Sequence, residues 1–255
     1  VVSRQMNYLN KQQKDKVQYL KSVLSTDDNA TIEYLKKAGW DVDKACELHF
    51  SSTTSKESTK VKGTKKLEAT YAAYKEPSEE KIGIDGLTKF FADLGVDPLD
   101  PVTLVISYHF DAKAMGEYTK DEFFGGMTKL RAETAKDLQG QLKTLKAQLD
   151  DPKIFKEVYK YTFNFAKDAG KRSLDFENAK ALWEILLDKK FPFLKYWLEY
   201  LDTLKEKNDI SKDTWNMLLE FHTLTNGDLS KYEDDGAWPV IIDEFVNWCK
   251  TNKQQ

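Results

Sequence analysis

Apolar residues recur at intervals of three and four along almost the whole chain, and alternation with a period of two is hard to find. That spacing lines one face of successive helices, so it predicts an all-α protein. Between Asn7 and Ser52 it predicts three short helices. Val17, Leu20, Val23 and Leu24 share one stripe. Asn29 or Thr31 caps a second helix that carries Ile32 and Leu35 and ends at Gly39. Asp41 or Asp43 opens a third with Ala45, Leu48 and Phe50, and Trp40 is the expected central filler of this small bundle, 7–52.

The pattern then stops. Residues 51–66, SSTTSKESTKVKGTKK, have almost no apolar content and five lysines. Such a stretch reads as a flexible, basic linker, placed at 53–66. Helical spacing resumes at Leu67 and continues to about residue 251, which predicts a second, larger helical domain.

Two segments of that domain have the shape of calcium-binding helix–loop–helix hands. In FDAKAMGEYTKDEF, 110–123, taking Asp111 as loop position 1 puts Gly116 at position 6 and Glu122 at position 12. Those are the turn glycine and the bidentate glutamate of an EF-hand. Positions 3 and 5 are Lys113 and Met115, an ammonium and a thioether where a hard divalent cation needs oxygen. The expectation is an EF-hand-like loop without metal. IGIDGLTKFFADLGVD, 82–97, looks like a partner hand with Ile84 at the strand-pairing position, and KDAGKRSLDFENAKALW, 167–183, repeats the theme more faintly. Paired hands of this kind form apolar grooves that accept a helix. Leu87, Phe91, Ile106, Phe110, Phe165 and Ile185 are candidates for such a groove, with plain core packing as the alternative.

Composition narrows the rest. The 255 residues are 40% hydrophobic and 32% charged, with no apolar run long enough to span a bilayer and no apolar core of a secretory signal near the N-terminus. Two distant cysteines, Cys46 and Cys249, do not make a disulfide framework. His49, His109 and His222 are scattered, no zinc spacing occurs, and phosphate-cradling glycine loops are missing. Cys249 is the one serious nucleophile, yet it falls on an apolar helix stripe, where a thiol packs and its pKa rises. No catalytic residue, metal or cofactor is expected.

Charge adds a direction. The net charge of −3 conceals a stretch from Asp213 to Cys249 with eight acids, Asp213, Glu220, Asp228, Glu233, Asp234, Asp235, Asp243 and Glu244, against Lys231 alone. That sign repels nucleic acid and attracts a basic protein surface, unless it is only a solvated face. In ISKDTWNMLLEF, 210–221, Ser211 caps a helix whose first turn holds Asp213, while Trp215, Leu218 and Leu219 point inward. In GAWPVIIDEFVNWCK, 236–250, Pro239 suits a first turn and Ile241, Ile242, Phe245, Val246 and Cys249 form the stripe. Asp243 and Glu244 fall off that stripe. Two acid-bearing helix starts are therefore available to be packed together.

KIGIDGL, YTFNFAK, ISKDTWNMLLEF, YEDDGAWP and VIIDEF, in that order, closely resemble the potentiating-neddylation domain of the defective-in-cullin-neddylation family. The resemblance covers the second domain, 67–251. It implies a non-catalytic co-ligase that bridges two partners, the C-terminal winged-helix region of a cullin and the N-terminally acetylated tail of the neddylation conjugating enzyme. The RING subunit of the cullin ligase is an indirect partner. By motif the cullin-facing residues are Asp213, Ala237 and Asp243, with Glu244 beside them. The tail pocket falls on Ile84, Leu87, Phe91, Ile106, Phe110, Phe165 and Ile185.

GWDVDKACELHF gives residues 7–52 a resemblance to a ubiquitin-associated domain, which implies ubiquitin as a partner. Leu24, Ser25, Thr26 and Asp27 depart from that family's contact loop, so no contact residue is assigned. The resulting expectation is a monomeric, cytoplasmic or nuclear scaffold that contacts neither membrane nor nucleic acid. The competing reading is an EF-hand-like calcium-sensing adaptor.

Overall fold

A computed structural model describes residues 9–24, 28–42, 44, 45, 64–233 and 237–253. The chain divides into two compact units, Val1–Lys60 and Val61–Gln255.

In the first unit, α1 (Lys11–Leu24) and α2 (Asp28–Lys37) pack through Val17, Leu20, Ile32 and Leu35, joined by Ala45. Helix α2 begins at Asp28, ahead of both expected caps, and Thr31 is buried within it. Asp41 does act as a start: its side chain accepts the Lys44 N–H at 3.1 Å and its carbonyl accepts that of Ala45 at 3.0 Å. Trp40 is not the central filler. It follows Gly39 in the left-handed region (φ 62 and 64), lies half-buried at the edge of the cluster, and its carbonyl accepts the Lys16 ammonium at 2.7 Å. Leu48, Phe50, Ser25, Thr26, Asp27, Cys46 and His49 lie outside the described residues.

The second unit starts with α3 (Lys65–Ala72), two residues before the expected boundary, because Thr64 accepts the Leu67 N–H at 3.2 Å and caps it. Two tiny antiparallel bridges organise the remainder of the unit. Strand β1 (Lys81–Ile82) pairs with β2 (Tyr118–Thr119), and β3 (Ser173–Leu174) pairs with β4 (Ile210–Ser211). Each strand runs directly into a helix: α4 (Ile84–Leu94), α6 (Lys120–Lys129), α10 (Phe176–Leu187) and α12 (Lys212–Thr225). Helices α5 (Val102–His109), α9 (Pro152–Ala166) and α11 (Leu194–Thr203) are interleaved with them. Short α7 (Ala135–Gln139) and α8 (Leu142–Ala147) lead into α9, and α13 (Val240–Asn252) ends the unit. The result is two pairs of EF-like hands. The partner of the faint hand at 167–183 is the segment that ends in ISKDTW.

Register corrects one residue. Ile82, not Ile84, occupies the pairing position opposite Tyr118. Ile82 is fully buried, whereas Ile84 opens α4 and is 71% exposed.

Aromatic packing ties the second pair of hands together. Trp215 of α12 stacks on Tyr159 of α9 (4.7 Å) and on Trp183 of α10 (5.3 Å). The polar atoms of the three rings satisfy one another. Trp215 Nε1 donates to the Tyr159 carbonyl at 2.9 Å, the Tyr159 hydroxyl donates to the Trp215 carbonyl at 2.8 Å, and Trp183 Nε1 donates to the Tyr159 hydroxyl at 2.9 Å. Buried polar groups cost free energy unless paired, and here each finds a partner inside the stack.

Candidate functional site

The first pair of hands opens a cleft of about 310 Å³ against α10. Its walls are apolar. Helix α4 contributes Ile84, Leu87 and Phe91, α5 contributes Thr103, Leu104 and Ser107, α9 ends at it with Phe165, and α10 contributes Leu182 and Ile185. Six large hydrophobic side chains are exposed among the described residues, and three of them, Ile84, Leu99 and Met115, rim this cleft. Exposed apolar side chains concentrated at one concavity mark a binding surface more often than scattered ones do.

Five of the seven candidate tail residues therefore line one groove. Ile106 and Phe110 do not. On α5 the groove is lined by 103, 104 and 107, whereas Ile106, at the border of that face, is fully buried in the core. Phe110 is drawn into the core beside Phe123, Phe90 and Tyr118. Gly126 makes room for it: a Cβ there would lie 2.0 Å from the Phe110 ring. Leu99, Leu104, Met115 and Leu182 also line the groove, although sequence reasoning did not single them out for it. Leu182 is three residues from Ile185, and Leu104 falls on the α5 face that the spacing of Thr103 and Ser107 defines.

The loop of the second hand spends its would-be metal ligands internally. Asp111 pairs with the Lys113 ammonium at 2.8 Å. Glu122 accepts the N–H of Lys113 at 2.9 Å with one oxygen and that of Thr119 at 2.7 Å with the other. Among the described residues no three His, Cys, Asp or Glu side chains gather as a cation would require.

The second candidate surface surrounds the starts of α12 and α13. Ser211 caps α12 by accepting the Thr214 N–H at 3.0 Å, and Asp213 stands exposed in its first turn. Pro239 precedes α13, whose first turn holds Asp243. Ser211 and Thr214 from one helix start, and Pro239, Val240, Ile241 and Glu244 from the other, wall one depression of about 340 Å³. Val240 is a fourth member of the exposed hydrophobic set. Ile241, expected on the buried stripe, is only half-buried because it faces this depression. Ile242, Phe245, Val246 and Cys249 carry the stripe.

Tyrosines hold the acids of α13. The Tyr232 hydroxyl donates to Asp243, and the Tyr200 hydroxyl donates to Glu244 at 3.0 Å. Burial and the Glu244 carboxylate raise the Tyr200 phenol above its ordinary pKa, so it remains a donor. Tyr232 also packs on Trp238 (6.0 Å), and both rings pack on Phe221 of α12 (6.2 and 5.9 Å). Asp213, Ala237 and Asp243 occupy turns adjoining the depression without lining it. Asp213 and Ala237 are exposed, and Asp243 is half-buried.

Part of the acidic stretch is engaged within the fold. Glu220 is paired with Lys156 at 2.6 Å, and Asp228 accepts the N–H and hydroxyl of Ser230 at 3.0 and 2.7 Å. Asp234 and Asp235 lie outside the described residues. Lys212 and Lys250 flank the stretch, and the Lys250 ammonium sits 5.8 Å from the centre of the Tyr232 ring. Asp213, Glu233 and Glu244 are exposed, and Asp243 is half-buried.

The scattered chemical groups are quiet. Cys249 is buried and burial pushes its thiol up to about 11, so it is protonated at neutral pH. His109 and His222 are half-buried, which lowers their pKa values and favours neutral imidazoles.

Comparison with known proteins fits this arrangement. A family model described as cullin binding matches residues 137–248, and one described as a UBA-like domain matches 14–55. DCN1-like protein 5 of Bos taurus is 38% identical over 207 residues, covering 81% of this chain and 82% of that protein. DCN1-like protein 4 of Drosophila melanogaster is 39% identical, covering 75% and 77%. Defective in cullin neddylation protein 1 of Caenorhabditis elegans is 30% identical, covering 97% and 93%. The chain belongs to this defective-in-cullin-neddylation, or DCN1-like, family.

Proposed function

We propose that this protein acts in the neddylation of cullins as a scaffold without catalytic residues of its own. Its second unit carries two separately built docking features. The observation that supports the reading most is the placement of exposed apolar side chains: four of the six among the described residues stand at these two features.

The surface around Asp213, Ala237, Asp243 and Glu244 suits the basic C-terminal winged-helix region of a cullin. Carboxylates meet Lys or Arg there, and the small side chain at 237 permits close approach. The cleft lined by Ile84, Leu87, Phe91, Phe165 and Ile185 suits the N-terminally acetylated tail of the conjugating enzyme. Acetylation removes the terminal ammonium, whose charge would be costly to bring into apolar walls. Holding both partners raises the effective concentration of the loaded conjugating enzyme at the cullin lysine and restricts unproductive poses. The RING subunit of the ligase benefits indirectly, and residues 7–52 offer a place for ubiquitin.

The cleft is tested by titrating a peptide of the conjugating-enzyme tail, acetylated and unacetylated. The acetylated form binds about tenfold or more tightly, and Leu182→Asp removes the difference by placing a charge in the wall. Equal affinity of the two peptides excludes the cleft as the acetyl site.

A further inference from the structure

We infer that Glu122 does in its loop what the cation does in a metal-loaded EF-hand, and so positions the lip of the apolar cleft. Its carboxylate bridges two backbone N–H groups six residues apart, Lys113 at 2.9 Å and Thr119 at 2.7 Å. A bound ion draws a loop together by the same convergence, with carbonyl and carboxylate oxygens in place of amides. The lip lies between those two anchors. Met115, 49% exposed, donates its N–H to the Phe165 carbonyl at 2.9 Å. Gly116 follows with φ +89, where a side chain would be strained, and a Cβ there would already lie 3.4 Å from Ile84. Met115, Gly116, Ile84 and Phe165 all line the cleft.

Helix capping accounts for only half of this. Thr119 and Glu122 form a capping box at the start of α6, so the bond to the Thr119 N–H belongs to the helix. The bond to Lys113 does not. It reaches back nine residues across the loop. Charge-assisted bonds from a carboxylate to amides are among the stronger ones available, which suits an oxygen that stands in for a metal contact. Glu122 is therefore a positioning residue: it touches no partner and acts through Met115.

Glu122→Gln separates the two roles, because Gln also completes a capping box while one side-chain carbonyl cannot serve both amides. The expected results are a melting temperature within a few degrees of the parent and a Lys113 amide that exchanges with solvent about tenfold faster or more. The affinity consequence rests on the proposed reading of the cleft. The acetylated tail peptide binds about tenfold more weakly to Glu122→Gln, cullin affinity is unchanged, and Met115→Ala adds little on that background. Parental exchange at Lys113 overturns the inference, and so does accelerated exchange with parental tail affinity. If the parent protein fails to bind the peptide, the reading of the cleft fails, while the exchange rate still decides whether Glu122 holds the loop.

Discussion

Asp213→Lys combined with Asp243→Lys weakens binding to a cullin C-terminal region by about 100-fold or more. On the proposed reading each carboxylate makes a charge-assisted contact of about 1.5–3 kcal/mol, and reversal adds repulsion to the loss. The fold has little at stake in either residue. Asp213 is exposed and makes no hydrogen bond or ion pair among the described residues, and Asp243 gives up one bond from Tyr232. Lysine in a first helical turn opposes the helix dipole at about 0.3–1 kcal/mol per site, so the melting temperature falls by only a few degrees. Calorimetric titration with the cullin fragment, beside circular dichroism of each variant, reads both quantities. The parental affinity also drops as salt rises, and the double variant loses most of that dependence. Unchanged cullin affinity in a folded double variant removes the acidic surface from the account.

A larger structural effect is expected from Trp215→Ala. The residue packs on both Tyr159 and Trp183 with no exposed surface, and its indole N–H satisfies the Tyr159 carbonyl. Truncating a buried tryptophan costs about 3–5 kcal/mol, and the orphaned carbonyl adds to it. Against a typical domain stability of about 5–15 kcal/mol, that is about a fifth of the total or more. Trp215 is two residues from Asp213 on α12, so loss of the stack also loosens one side of the proposed cullin surface. Urea unfolding followed by circular dichroism shows a much lower midpoint. A cost under about 1 kcal/mol means that the three helices are held together by other contacts.

Helical periodicity and the chemistry of particular residues were legible in the sequence. The three- and four-residue spacing specified an all-α protein, and Ser211 capping α12 is expected from residue type alone. Asp111, Gly116 and Glu122 outlined a hand without oxygen at its third and fifth positions. Helix faces were harder. Ile106 and Phe110 are apolar and lie close to groove residues in the chain, yet only the rotation of α5 and the space left by Gly126 show that they face inward. Ile82 and Ile84 differ by two residues and exchange roles once the register with Tyr118 is fixed. Size alone points Trp40 inward, yet it is only half-buried against the small cluster, in a turn with φ 64. Local pattern reports what a residue prefers, and tertiary packing decides which neighbour it meets.

The acids show the same limit. Glu220 and Asp228 belong to the acidic stretch by sequence, while Lys156 and Ser230 occupy them in space. Asp243 and Glu244 are adjacent, yet separate tyrosines orient them. The Lys156 ammonium offsets the charge of Glu220, whereas hydrogen bonds from hydroxyl and amide donors orient a carboxylate without neutralising it.

Transfer of the modifier from its acetylated conjugating enzyme to a cullin lysine, followed in a single turnover with and without this protein, tests the scaffold most directly. The rate rises when the parent is added, stays near the unassisted value with Asp213→Lys/Asp243→Lys, and loses its stimulation when the enzyme's N-terminus is left unacetylated. A rate indifferent to the parent protein contradicts the bridging of the two partners.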